Sequence, residues 1–167
     1  MGRFEFQNVF ISNSHFKNGF YYYNDNEFSN GYFNALNVEF VNNTSEYGTF
    51  LNIPYIIEST ANFIIIDSSK FINNTASKFG GVIYSLGPYN SKHLYISNCE
   101  FYNNNAKLGK NIYSYSTYSS ATMQNSYINI EDIVSLPTKF EIDTDSLEED
   151  KVSILSGEKI PEGISCK

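Results

Sequence analysis

A chain of 167 residues with a formal charge of −7 and a single arginine lacks the clustered Lys and Arg that a nucleic-acid surface needs to displace counterions. Its hydrophobic fraction of 41% suffices for a buried core in one domain, yet no run approaches the ~20 apolar residues of a membrane span. Tyr and Phe, 14 each, with no Trp and abundant Asn, Ser and Ile, favour pleated, half-buried backbone over helix.

Met1-Gly2 opens without a charged leader before an apolar core, so any secretory signal is expected to lie outside these residues. Ser14-His15-Phe16-Lys17-Asn18-Gly19 reads as a short first copy of a motif that then recurs. It returns as Phe40-Val41-Asn42-Asn43-Thr44 followed by Tyr47-Gly48-Thr49-Phe50-Leu51. The third copy is Phe71-Ile72-Asn73-Asn74-Thr75 with Phe79-Gly80-Gly81-Val82-Ile83-Tyr84, and the fourth Phe101-Tyr102-Asn103-Asn104-Asn105 with Leu108-Gly109-Lys110-Asn111-Ile112. Ile128 to Ile133 is a worn last copy without its asparagines. The anchors Phe16, Phe40, Phe71 and Phe101 stand 24, 31 and 30 residues apart, a period at which a chain winds one supersecondary unit per repeat and stacks it on the next. The expected fold is all-β: a single-stranded right-handed parallel β-helix of four to five coils over residues 1–135.

Aligned on the anchors, Val9 and Ile11, Phe33 and Ala35, Ile64 and Ile66, and Leu94 and Ile96 alternate as a strand with one buried face does. Ser14, Val38, Ser69 and Cys99 form a small-residue column that leaves room for the ring beside it. Asn18, Asn42, Asn73 and Asn103 are expected to turn a left-handed corner and to hydrogen-bond up the stack as an amide ladder. Gly48, Gly80 and Gly109 should take positive φ where the next strand begins. Leu51, Ile83 and Ile112 should then point inward, and Asn52, Tyr84 and Tyr113 outward. Loops at Pro54-Tyr55, Pro88-Tyr89 and Tyr115 to Tyr118 close each turn. Phe20-Tyr21-Tyr22-Tyr23 replaces the Asn-Asn corner in the first turn, which reads as a cap or a truncated coil. Beyond Ser135, Pro137 breaks the pattern, acidic residues crowd from Asp143 to Asp150, and Lys151 to Leu155 is the one convincing strand. Residues 136–167 are read as an acidic C-terminal cap or, alternatively, a linker.

Catalytic constellations are not found. Polysaccharide lyases of this shape use carboxylate-bound Ca²⁺ with an Arg or Lys base, and glycosidases use paired carboxylates. Here Arg3 stands alone, and Asp67 falls in a different column from Glu39 or Glu100, with no obvious partner. No enzyme activity, cofactor or metal is expected. His15 and His93 read as surface or corner residues, and the Asp143 to Asp150 run lacks the glycine and closing Glu of a calcium loop. Gly80-Gly81 has no phosphate-loop context. Cys99 should pack as a small apolar residue, with Cys166 a tail thiol rather than its partner. Sequons stand at Asn42, Asn43 and Asn73, although such motifs also arise by chance in an asparagine-rich chain.

What remains is surface. Tyr84 and Tyr113 should stack on one outer face, Ile65 and Tyr95 on another, and Tyr55, Tyr89 and Tyr118 on the loops. Tyrosine supplies contact area and an orienting hydroxyl, so these six tyrosines are the candidate partner-binding residues. Alternatively, exposed Tyr on a sheet reflects β-propensity alone.

The Phe-x-x-Asn elements at Phe40 to Asn43, Phe71 to Asn74 and Phe101 to Asn104, with Gly80-Gly81-Val82-Ile83, resemble the repeats of the polymorphic outer-membrane-protein type over about residues 9 to 135. That resemblance implies a right-handed β-helix displayed outside the cell, commonly as an adhesin. The Asn- and Tyr-heavy usage also resembles secreted β-helix repeats of anaerobic gut fungi, where scaffoldins carry such modules as cohesins that hold dockerin-bearing enzymes. Together these imply an extracellular, non-catalytic module that docks a dockerin-like, host or cell-surface protein. A carbohydrate-binding or polysaccharide-degrading β-helix is the alternative.

Overall fold

Three left-handed residues per turn bend the backbone round on itself. The computed structural model describes residues 2–24, 31–136, 140–142 and 164–166. The first bend falls at Asn8, Asn37, Ser68, Asn98 and Asn125, with φ of 56°, 52°, 50°, 52° and 49°. The second falls at Asn13, Asn42, Asn73 and Asn103, at 52°, 55°, 55° and 51°. Asparagine tolerates this region better than most L residues because its short amide can bond locally. At the third bend the chain uses Gly19, Gly48, Gly80 and Gly109.

Strands fill the intervals. The first coil holds β1 (Gly2–Ser12), β2 (His15–Phe16) and β3 (Tyr21–Asn24); the second holds β4 (Gly31–Val41), β5 (Thr44–Tyr47) and β6 (Leu51–Tyr55). In the third coil the first bend divides the long strand into β7 (Phe63–Asp67) and β8 (Lys70–Ile72), followed by β9 (Thr75–Phe79) and β10 (Ile83–Ser85). A four-residue helix, α1 (Asn90–His93), leads into β11 (Leu94–Ser97), β12 (Glu100–Tyr102) and β13 (Ile112–Ser114). Finally β14 (Thr122–Gln124) and β15 (Ile133–Ser135) begin another rung. Each strand pairs in parallel with its counterpart one turn away, giving sheets ordered β12-β8-β4-β7-β11-β14 with β1 on β4, β2-β5-β9, and β15-β13-β10-β6-β3. The result is a parallel β-solenoid of about four turns.

Like residues lie over like. Phe40 pairs with Phe71 and Phe71 with Phe101; Leu51, Ile83, Ile112 and Ile133 form one column. Phe33, Phe40, Phe50 and Phe71 are fully buried, and the Phe71 and Phe101 rings stack at 5.0 Å. Phe50, which the repeat motif contains without singling out, wedges between Phe40 and Phe71 at centroid distances of 5.1 and 4.9 Å.

The first coil corrects the expected alignment. β1 lies on β4 with Phe4 opposite Phe33, Phe6 opposite Ala35, Val9 opposite Val38 and Ile11 opposite Phe40. Ile11, not Phe16, therefore continues the phenylalanine column, Val9 rather than Ser14 starts the small-residue column, and Asn13 rather than Asn18 turns the corner. Successive rungs are offset by 29, 31, 30 and 27 residues, with no short first step. Phe16 sits in β2 opposite Ser45, but its half-buried ring stacks on Phe40 at 5.9 Å and 22°. It does the packing work of the column from a neighbouring strand. Phe20 to Tyr23, expected in place of the second corner, belong to the third side, where Tyr21 pairs with Leu51.

The amide ladder is also real but shifted by one residue. Asn42, Asn73 and Asn103 make the corner and their side chains are exposed, whereas Asn43, Asn74 and Asn104 turn inward and are buried. Asn43 Nδ2 donates to Asn74 Oδ1 at 3.3 Å and Asn74 Nδ2 to Asn104 Oδ1 at 3.1 Å. Each acceptor oxygen also takes the backbone N–H of the asparagine one rung earlier, at 3.0 and 2.9 Å. His93, expected at a surface or corner, is 5% exposed at the end of α1, its Nε2 3.2 Å from the Glu58 carbonyl oxygen.

Contacts divide the chain into Met1–Leu136 and Pro137–Lys167. In the second unit β16 (Phe140–Ile142) and β17 (Ile164–Cys166) pair antiparallel; the expected strand at Lys151 to Leu155 and the acidic run from Asp143 to Asp150 lie outside the described residues, as does the Cys166 side chain. Among the described residues no helix is long and apolar enough to cross a membrane.

Candidate interaction surface at the glycine corner

At Gly80 the chain turns so tightly that a Cβ would stand 2.1 Å from the Ile83 carbonyl oxygen. Turning there brings the residue before the glycine and the residue four after it onto one outer side. Tyr47, Phe79, Tyr84 and Tyr113 meet as a cluster: Phe79 stacks on Tyr113 at 4.9 Å and 20°, Tyr84 on Tyr113 at 5.9 Å and 5°, and Tyr47 leans on Tyr84 at 4.9 Å. Lys78 Nζ sits 4.7 Å above the Tyr47 ring and 2.9 Å from Glu46 Oε2. That hydrogen bond and the lysine charge hold the Glu46 carboxyl below its ordinary range, and the same hydrogen bond foremost raises the Lys78 ammonium. Burial, then the neighbouring Tyr47 and Tyr113, pushes the Tyr84 phenol up, and burial alone pushes up Tyr113.

The six tyrosines expected to form a contact face do not lie together. Tyr84 and Tyr113 do stack, but Tyr113 is only 5% exposed because the Phe79 ring from the preceding coil lies over it. Asn52, expected outward in the same column, is likewise buried at 4%. Tyr84 is half-buried. Tyr95 is exposed on a different sheet, in register with Ile65 and beside Phe63, and its hydroxyl donates to the Lys92 carbonyl at 2.8 Å. Tyr55, expected on a loop, is instead the exposed last residue of β6, Tyr118 is exposed on a loop, and Tyr89 packs partly against the core with Lys92 Nζ 5.7 Å from its ring.

Sequence reasoning missed Tyr47, Phe79, Lys78 and Glu46. A signal existed: Tyr47, Phe79 and Leu108 each directly precede a corner glycine, a repeated apolar position that strand alternation alone does not interpret.

Carboxylates tested for chemistry serve the scaffold. Asp67 accepts from Asn98 Nδ2 at 2.9 Å, Ser68 Oγ at 3.0 Å and Ser97 Oγ, and these bonds, Ser97 foremost, hold its carboxyl below the usual range. Glu100 is 3.5 Å from Lys70 of the preceding rung, and Glu39 lies in register with that lysine. Among the described residues no three His, Cys, Asp or Glu side chains converge as a metal site.

Compared with known proteins, the chain matches no family model, no curated protein and no solved structure.

Proposed function

We propose that the chain is a non-catalytic, extracellular protein-docking module of scaffoldin or adhesin type, and that its contact face centres on the glycine corner. The observation that carries this reading is the half-buried cluster of Tyr47, Phe79 and Tyr84, resting on the buried Tyr113, with the Lys78–Glu46 pair at its edge. Rings that already pack on one another lose little side-chain entropy when a partner settles on them, and a phenol hydroxyl orients what binds. The repeat resemblance points the same way, toward a stiff displayed coil whose partner is a dockerin-like or cell-surface protein.

Titrating the immobilised chain with a purified dockerin-bearing enzyme, and separately with pectin, alginate and xylan oligosaccharides, tests the reading. Saturable protein binding that weakens at least tenfold, about 1.4 kcal/mol, in Tyr84→Ala supports it. A flat protein titration with saturable sugar binding, or release of sugar products, replaces it with the carbohydrate reading.

A further inference from the structure

The three sequons crowd one corner, and the fold separates them. Asn43 is fully buried: its Nδ2 donates to the Ile11 carbonyl at 3.1 Å and to Asn74 Oδ1 at 3.3 Å, and its Oδ1 accepts the Ser14 N–H at 3.0 Å. Asn42 and Asn73 are exposed at left-handed corner positions, both with φ 55°, and the threonines of their sequons, Thr44 and Thr75, are exposed too. They lie one rung apart, the Asn42 N–H donating to the Ile72 carbonyl and the Asn73 N–H to the Tyr102 carbonyl. The rungs on either side lack the motif, reading Asn13-Ser14-His15 and Asn103-Asn104-Asn105.

We propose that Asn42 and Asn73 are acceptors for asparagine-linked glycans and that Asn43 is not. In the transfer, Nδ2 bonds to the anomeric carbon of a lipid diphosphate-linked oligosaccharide. The bond from that carbon to the diphosphate oxygen breaks, its electron pair leaves with the lipid diphosphate, and the amide proton passes to the released group or to solvent. A bulky, hydrated substituent is accommodated on an outward-pointing corner. On Asn43 it would remove a hydrogen from an amide that uses Nδ2 for two bonds, and it would have to occupy packed interior. Molecules modified there would not complete the ladder. Glycans at Asn42 and Asn73 would stand on the corner that precedes β5 and β9, and Tyr47 and Phe79 end those strands, about 10 and 13 Å further along at the strand rise per residue.

This inference shares with the docking reading only passage through a secretory pathway, and the test supplies that passage. The full chain, secreted from a eukaryotic host behind an added signal peptide, should lose the mass of two glycans on treatment with peptide N-glycosidase F, with deamidation mapped to positions 42 and 73. Thr44→Ala destroys the Asn42 sequon but leaves Asn43-x-Ser45 intact; it should lose one glycan, and Thr75→Ala the other. An unshifted wild-type band, or a glycan mapped to Asn43 in the folded protein, overturns the proposal. Either failure leaves the docking reading standing, since that is tested on unglycosylated protein with the Tyr84 variant.

Discussion

At the scale of single residues, adjacent asparagines have opposite jobs. Asn74 Nδ2 donates to the Phe40 carbonyl at 2.9 Å as well as to Asn104, while its Oδ1 serves two donors from Asn43. Asn74→Ala strands several buried groups at once and is expected to cost about 3 kcal/mol. Asn73→Ala leaves the ladder whole and carries only the left-handed backbone cost, about 1 kcal/mol; urea midpoints of the two variants check the order. Cys99 offers a pH test. Burial pushes its thiol up from 9.0 to about 11. The fold therefore keeps a proton that the unfolded chain releases, so the contribution is intact below pH 9 and falls as pH rises toward 11. Tyr21, Tyr84, Tyr102 and Tyr113 are raised as well and add to the loss in alkali. Thermal melts should drop between pH 9 and 11, and the drop should be shallower in Cys99→Ser, which places at this position the residue Ser69 supplies one rung earlier.

At the scale of elements, corners set where strands can go. Gly80 has φ 63°, and a Cβ on Gly81 would lie 1.8 Å from the Lys110 carbonyl oxygen of the next coil. Gly81→Ala must push two rungs apart at a point where backbone meets backbone. An expected loss of about 3 kcal/mol or more follows, read as a lowered melting temperature. At Gly2 a Cβ would meet only the Phe4 ring edge at 3.7 Å, so Gly2→Ala should melt with the wild type. Ion pairs between rungs, Glu46 with Lys78 at 2.9 Å and Lys70 with Glu100 at 3.5 Å, are solvent-exposed. Solvent screens both, so their use is in fixing register rather than strength.

At the scale of the whole molecule, stability is a sum over rungs and their interfaces, with the ends weakest. Phe71 is covered on both sides by Phe40 and Phe101, and Phe71→Ala should cost 3 to 5 kcal/mol, roughly the range for a buried aromatic truncation. Phe16 belongs to the end coil and is half-buried, so Phe16→Ala should cost clearly less. Equal losses in denaturant titrations would contradict the observed stacking. Amide hydrogen exchange should follow the same gradient, slowest in β7 to β10 and fastest in β1 and β3, which among the described residues pair on one side only.

The sequence by itself determined the period, the inward columns of Phe and Ile and the glycine corners, because stacking like over like forces each rung to repeat the chemistry of the last. It could not determine the register of the first coil, where Ile11 stands in the aromatic column and Phe16 fills the core from another strand. Nor could it decide between Asn73 and Asn74: both repeat, and only the handedness of the corner selects which amide turns inward. Burial of Tyr113 beneath Phe79 was hidden for a related reason. Strand alternation tells which face a side chain takes, but whether that face meets water depends on what the neighbouring coil lays across it, and only the tertiary structure brings the two together.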